Sequence, residues 1–268
     1  MPSPLYAVSD VHGHVEVLNE ALRAEGLTDA HGSWTGGEAR LWFLGDFFDR
    51  GPSGIRVLEV VRRLVEESEG RVRALLGNHE VLAMGMKLFG SRLVPGDGAV
   101  PRSFERSWTL NGGRADDQRG LTDDHLAWLL DLPVVGRADD WLLLHSDTVE
   151  YLHWGRTVVD INAGVRAQLH RTSDLTGWWN VWRRMTTRYA FRGEEGPKVA
   201  AAMLERLGGR QVVHGHSVVA DWLGVDYPEV TEPLRYADGL VLGIDGGINN
   251  GGPCLLTRLE VPAVVAAS

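Results

Sequence analysis

Leu5-Tyr6-Ala7-Val8-Ser9-Asp10-Val11-His12-Gly13 begins as an apolar run and ends in a carboxylate, an imidazole and a glycine. A short apolar run closed by turn-forming residues reads as a buried strand, here Leu5 to Ser9. The next residues, Val15 to Ala24, have helical spacing. The same order recurs twice. Leu41 to Leu44 reads as a second strand and runs into Gly45-Asp46-Phe47-Phe48-Asp49-Arg50-Gly51, with a helix expected from Pro52 to about Glu67. Val72 to Leu76 reads as a third strand and runs into Gly77-Asn78-His79-Glu80, again followed by a helix. This β-α-β-α order specifies an α/β fold around a largely buried sheet.

Outward from this core the pattern loosens. Ser91 to Pro101 is rich in Gly and Pro and reads as loop. Leu121 to Leu132 returns to helical spacing, with Leu126, Leu129 and Leu130 as its apolar stripe. Val134-Val135 and Trp141 to Leu144 read as strands joined at Ala138-Asp139-Asp140, the second leading into His145. His153 to about Arg192 interleaves Trp154, Trp178, Trp179 and Trp182 with Arg183, Arg184, Arg188 and Arg192, and reads as a mostly helical insertion. A helix from Pro197 to Leu207 stops at Gly208-Gly209. The last expected strands are Gln211 to Val213, which leads into His214-Gly215-His216, then Leu240 to Ile244 and Cys254 to Leu259.

The chain has 268 residues, 44% of them hydrophobic and 24% charged, enough for one sizeable domain with a real core. Its formal charge of -9 argues against a general nucleic-acid binder, which would carry a basic face. It leaves room for a small phosphorylated substrate, because bound cations add local positive charge. Cys254 is the one cysteine, so no disulfide can form within the chain, which suits a reducing compartment. No basic segment followed by an apolar run precedes the first strand, and no apolar run is long enough to span a membrane. The expectation is a cytoplasmic protein with no membrane partner.

Five segments thus end in metal-competent residues at the C-terminal ends of strands, where open α/β sheets build their sites. Asp and His oxygens and nitrogens suit Mn, Fe, Zn or Mg. Any one of these segments alone could be a plain turn. Five in order, each after a strand, point to one edge carrying a metal centre. His214-Gly215-His216 has ligand spacing at both histidines, and either could face the metals.

The ordered set Asp10-X-His12, Gly45-Asp46-X-X-Asp49-Arg50-Gly51, Gly77-Asn78-His79-Glu80, His145 and Gly215-His216 resembles the calcineurin-like metallophosphoesterase superfamily. The Arg50-Gly51 ending and the tail Ile244-Asp245-Gly246-Gly247 resemble its phosphoprotein phosphatase branch. That branch includes Ser/Thr phosphatases, Shewanella-like phosphatases and diadenosine tetraphosphatase. The resemblance implies one domain over 1–268, with an insertion at about 146–195. Its fold would be a four-layer αββα sandwich, two mixed sheets flanked by helices, with the Trp/Arg-rich helical insertion added. It also implies two divalent metal ions, manganese first, with Fe, Zn or Mg as alternatives. Asp10 and His12 would hold one, Asn78, His145 and His216 the other, and Asp46 would bridge them. A metal-bound hydroxide would attack phosphorus directly. His79 would protonate the leaving oxygen, Asp49 would orient His79, and Arg50 would hold phosphate oxygens.

The expected partner is a phosphorylated substrate, a phosphoprotein or a nucleotide. A Ser/Thr phosphatase-like monoesterase is the first reading. A dinucleoside polyphosphate or cap-like hydrolase is the second, and a phospho-ligand-binding scaffold without turnover the third. Two departures from the family pattern stand out. Ser146-Asp147 follows His145 where the family usually has a glycine turn; Asp147 either adds negative charge near the metals or caps a helix. The second phosphate-binding arginine is open among Arg183, Arg184 and Arg188, and Trp182-Arg183-Arg184 resembles a Shewanella-like element that favours Arg184. The insertion's tryptophans are either a satellite core or a surface on which a nucleobase stacks.

Overall fold

The computed structural model of the chain describes residues 3–96 and 101–260. Residues 97–100 of the expected Gly/Pro-rich loop, and the first two residues of the N-terminal stretch, lie outside the described residues. The elements run β1 (Leu5–Val8), α1 (Val15–Ala24), β2 (Arg40–Phe43), α2 (Gly54–Glu67), β3 (Val72–Ala74) and α3 (Asn78–Phe89). Three helices follow, α4 (Phe104–Leu110), α5 (Ala115–Gly120) and α6 (Asp123–Leu130). Next come β4 (Val135–Ala138), β5 (Trp141–Leu144), α7 (Val158–Leu169), α8 (Leu175–Met185), α9 (Gly196–Leu207) and β6 (Gln211–His214). The last elements are α10 (Val219–Leu223), β7 (Leu234–Tyr236), β8 (Val241–Gly243) and β9 (Thr257–Arg258).

The strands make two mixed sheets. One has the order β3-β2-β1-β9, parallel except for β9; the other has the order β4-β5-β6-β8-β7, with antiparallel strands at both edges. Side chains alternate across a strand, and β1 divides its residues accordingly. Leu5 and Ala7 share one buried cluster with Trp42 and Leu44 of the first sheet and with Trp141, Leu143, Val213 and Leu242 of the second. Tyr6 and Val8 point the other way, into the cluster that includes Leu18 and Leu22 of α1 and Val57, Leu58 and Val61 of α2. Leu142 and Val212 face the helices on the far side. The result is helices, sheet, sheet, helices, the four-layer α/β sandwich that the sequence implied. Gly136 lies where a side chain would collide with the Trp42 indole, so the two sheets approach closely there.

Between β5 and α9 stand α7 and α8. Asn162 of α7 receives the backbone N–H groups of Val134 and Val135 (2.9 and 3.0 Å) and donates to the Val135 carbonyl (2.8 Å), which locks α7 to the edge of the second sheet. The amphipathic α8 buries Trp178, Trp179 and Trp182 against Phe89 and Phe104. The insertion therefore joins the helices of one half to the sheet of the other. Among the described residues no helix is long and apolar enough to cross a membrane.

Helix α2 starts at Gly54 rather than at Pro52. Gly51 to Ser53 are taken up by the preceding turn, where the Ser53 N–H binds the Gly13 carbonyl (3.1 Å). Helix α3 starts two residues before Glu80, which places Asn78 and His79 in its first turn.

Candidate active site

The metal-competent residues follow strands β1, β2, β3, β5 and β6, all at the same end of the parallel strands. The backbone continues the pairing past the strand ends. Asp10 N–H reaches the Gly45 carbonyl (3.2 Å), His12 N–H that of Asp46 (3.0 Å) and Gly13 N–H that of Phe47 (2.8 Å). Turning side chains inward at these ends requires unusual backbone. Asp10, His12, Asp46, Asp49, Arg50 and His216 all have φ between 43° and 64°, a region side-chain-bearing residues enter only when surroundings enforce it. Gly215 leaves room for the Ser9 hydroxyl and the Asp10 carboxylate, which a Cβ there would overlap. The Glu80 carboxylate sits beneath the turns and accepts the N–H groups of Asp46, Phe47 and Gly77 at 2.7 to 2.8 Å.

Two sets of potential ligands converge. Asp10, Asp46, His145 and His216 form one buried group, and His12, Asp46 and His79 form another, so Asp46 belongs to both. Asn78 joins the first through its side-chain oxygen, 2.7 Å from His145 Nε2. The six residues assigned as metal ligands from sequence are thus brought together.

The donor chemistry fits divalent cations. The Nδ1–H of His12 donates to the Phe48 carbonyl (2.7 Å) and that of His145 to the Leu44 carbonyl (2.9 Å). A carbonyl only accepts, so each ring presents a bare Nε2. His12 Nε2 and Asp46 Oδ2 are buried without any hydrogen-bond partner, 3.7 Å apart. The bare His145 Nε2 faces the Asn78 oxygen, two acceptors in contact, which a cation between or beside them would reconcile. Burial holds His12, His145 and His216 neutral, with pKa values below the usual imidazole range. Burial and then the charge of Asp10 push Asp46 and Asp245 well above the ordinary carboxylate range. Glu80 is raised to about 8, again by burial and then by Asp46. Neutral imidazoles among crowded buried carboxylates make a site in want of positive charge.

Beside the carboxylate cluster stands a second unit. His79 Nδ1 is 2.8 Å from Asp49 Oδ2, and Arg50 Nη2 is 3.3 Å from His79 Nε2. Burial and then the Arg50 charge keep the His79 imidazole neutral. Burial raises Asp49 to about 7 despite its hydrogen bond from the Trp108 indole.

The arginines of the insertion separate. Arg184, favoured from sequence, pairs with Glu150, and Arg183 is exposed. Arg188 instead reaches the cluster, its Nη2 2.9 Å from His216 Nε2. Arg188 lies just beyond the end of α8, which brings it to the His216 side of the cluster, four to five residues past Arg184 and Arg183, the positions that the helical motif singled out. Asp147 holds this segment in place. Its carboxylate accepts the Tyr189 N–H (3.0 Å) and the Ser217 hydroxyl (2.5 Å), and its carbonyl accepts the Ala190 N–H (2.9 Å). Asp147 therefore neither caps a helix nor points at the metal ligands.

His214 turns away from the cluster, with Nε2 2.6 Å from the Tyr236 hydroxyl and Nδ1 2.8 Å from the Gly215 carbonyl. The insertion's Trp178, Trp179 and Trp182 are 0, 6 and 9% exposed, too covered to stack a base. Trp108 and Asp117, which grip Asp49, had no signal in the sequence; they sit on α4 and α5, helices of seven and six residues.

Comparison with known proteins agrees with this geometry. The family model described as Calcineurin-like phosphoesterase matches residues 3–220. The chain is 36% identical to Shewanella-like protein phosphatase 2 of Arabidopsis thaliana over 84 residues, 30% of this chain and 22% of that protein. It is 28% identical to the symmetrical bis(5'-nucleosyl)-tetraphosphatase of Chromohalobacter salexigens over 157 residues, 57% of this chain and 47% of that protein. The matched region thus spans from about a fifth to about half the length of these curated relatives. In fold, the chain superimposes on the cold-active protein-tyrosine phosphatase of a psychrophilic Shewanella species with a TM-score of 0.68 at 23% identity, covering 94% of this chain and 74% of that one.

Proposed function

The chain belongs to the calcineurin-like phosphoesterase family, and from that premise we propose that it hydrolyses phosphate monoesters with two divalent cations. The observation that carries the reading is the pairing of a buried, cation-deficient cluster with a separate acid unit. Asp10, His12, Asp46, Asn78, His145 and His216 would hold the cations. His79, Asp49 and Arg50 stand next to them as one connected set, His79 meeting Asp49 at Nδ1 and Arg50 at Nε2. Manganese is the first choice, with Fe, Zn or Mg compatible with the same oxygen and nitrogen donors. Bound cations would offset the buried carboxylates and supply Lewis acidity toward phosphoryl oxygens.

The chain's own residues do the rest. Arg50 and Arg188 bring two guanidinium groups to the cluster, one at His79 and one at His216, suited to the non-bridging oxygens of a phosphoryl group. In the resting site burial, and then the Arg50 charge, keep His79 neutral. A phosphate dianion seated on Arg50 offsets that charge and lets Nε2 take up a proton for the leaving oxygen, while Asp49 holds Nδ1–H. A scaffold that only bound a phosphorylated ligand would have no use for this His–Asp pair.

Phosphoproteins are the first substrate class, in keeping with relatives and a fold neighbour named as protein phosphatases. Dinucleoside polyphosphates are the second, supported by the tetraphosphatase similarity over 157 residues. The burial of Trp178, Trp179 and Trp182 withdraws most of the stacking surface that reading could have used, and leaves the half-buried Trp154. We place the whole chain in one domain with an insertion at 146–195, acting in the cytoplasm, where a lone cysteine is at ease.

The test is phosphate release by Mn-loaded protein from phosphoserine, phosphothreonine and phosphotyrosine peptides and from a dinucleoside tetraphosphate, with nucleotide products followed. Release from a peptide alone supports the first reading, and cleavage of the dinucleotide alone replaces it with the second. His79→Asn should lower turnover about 100-fold or more while the metal content stays at the wild-type value. Equal activity of that variant and wild type would refute the acid assignment.

A further inference from the structure

Asp49 has two carboxylate oxygens with different duties. Oδ2 faces His79 Nδ1, and Oδ1 accepts the indole N–H of Trp108 at 2.9 Å and the Arg114 N–H at 3.4 Å. An indole nitrogen only donates, so Trp108 can neither take a proton from Asp49 nor bind a cation. What it can do is fix the rotation of the carboxylate, and with it the ring plane of His79. Trp108 is itself fixed: Gly113 lies flat against its indole, where any side chain would overlap the ring.

The same segment braces the turn independently, through one carbonyl and one carboxylate. The Gly112 carbonyl accepts Arg50 N–H (2.8 Å), and Asp117 accepts the N–H groups of Asp49 and Ile55 (3.2 Å each). These contacts hold Asp49 and Arg50 in their left-handed backbone (φ 63° and 61°) whether or not the indole is present. The Trp108 contact is the side-chain one, aimed at the carboxylate that orients His79.

We propose that Trp108 is a positioning residue for the leaving-group proton, acting on His79 through Asp49, an inference that rests on the phosphoesterase reading. Its removal would then matter most where the leaving oxygen most needs a proton. An alkoxide leaves poorly unless protonated, whereas a nitrophenolate leaves as the anion.

The experiment uses the full-length, Mn-loaded protein and its variants Trp108→Phe, Gly113→Ala, His79→Asn and the Trp108→Phe/His79→Asn pair. Each is assayed on an alkyl phosphate monoester and on 4-nitrophenyl phosphate. Trp108→Phe keeps an aromatic ring and loses the donor together with part of the indole. It should lower kcat on the alkyl ester on the order of tenfold with KM within about twofold, and lower it distinctly less on the nitrophenyl ester. Gly113→Ala, which keeps the donor but displaces it, should show the same selectivity. The double variant should be no slower than His79→Asn. Equal losses on both esters, a change confined to KM, or a further loss in the double variant would overturn the proposal. Leaving-group selectivity in His79→Asn but not in Trp108→Phe overturns Trp108's role alone. Its absence in His79→Asn overturns the acid assignment beneath it.

Discussion

Six side-chain-bearing residues of the site hold left-handed backbone, and Glu80 is the group that makes this tolerable around Asp46. Its carboxylate satisfies three buried N–H groups at once. Glu80→Ala would leave all three unpaired, and an unpaired buried polar group costs about 1–3 kcal/mol. Denaturant melts should therefore show a loss of about 3 kcal/mol or more, even without metal. Asp49 gives a pH signature. Burial raises it to about 7, far above its value in the unfolded chain, so the folded protein binds the extra proton. The stability it contributes is present at low pH and is lost as pH rises through about 7. In metal-free protein Asp49→Asn should flatten the fall in melting temperature between about pH 4 and 7 relative to wild type. At this scale the sequence was most legible where a residue's own chemistry serves the site. Asp10, His12, Asp46, Asn78, His145 and His216 are ligand types at strand ends, and the structure gathers them. Trp108, Asp117 and Asp147 act on other residues rather than on a substrate, and nothing in their local pattern reveals a partner 59 to 70 positions away.

Among the elements, α8 shows how the insertion's composition can mislead. Arginine interleaved with tryptophan suggests a binding face, yet the helical period turns the tryptophans to Phe89 and Phe104 and leaves Arg183 in solvent. Trp178 is fully buried, and Trp178→Ala should cost about 3–5 kcal/mol in unfolding free energy, with little change in KM if the packing role is its whole role. Arg188 reaches the site because the chain leaves α8 and is caught by Asp147. Asp147→Ala should thus raise KM several-fold more than it lowers kcat, which steady-state kinetics on a good substrate would read. Long periodic elements such as α1 and α2 were legible within two residues or so at their ends. The short α4, α5 and α10 and the three-residue β7 were not, since fewer than two helical turns or two alternations carry too little pattern.

For the molecule as a whole, the telling feature is how the ligands are divided. Asp10, His12, Asp46 and Asn78 belong to the first sheet, His145 and His216 to the second. Chelation should lower the melting temperature, and Mn should restore it in proportion to the logarithm of its free concentration. The division also dictates when during folding the cations can act. The first half alone holds the set assigned to one cation, Asp10, His12 and Asp46, whereas the set for the other, Asp46, Asn78, His145 and His216, is complete only once the sheets have docked. Contacts absent from the transition state slow unfolding without hastening folding. In stopped-flow experiments the cation that bridges the halves should thus slow the unfolding limb as Mn is added, by more than it changes the refolding rate. The cation shared between the halves would then serve as a lock turned after closure, governing how long the folded molecule lasts more than how quickly it forms.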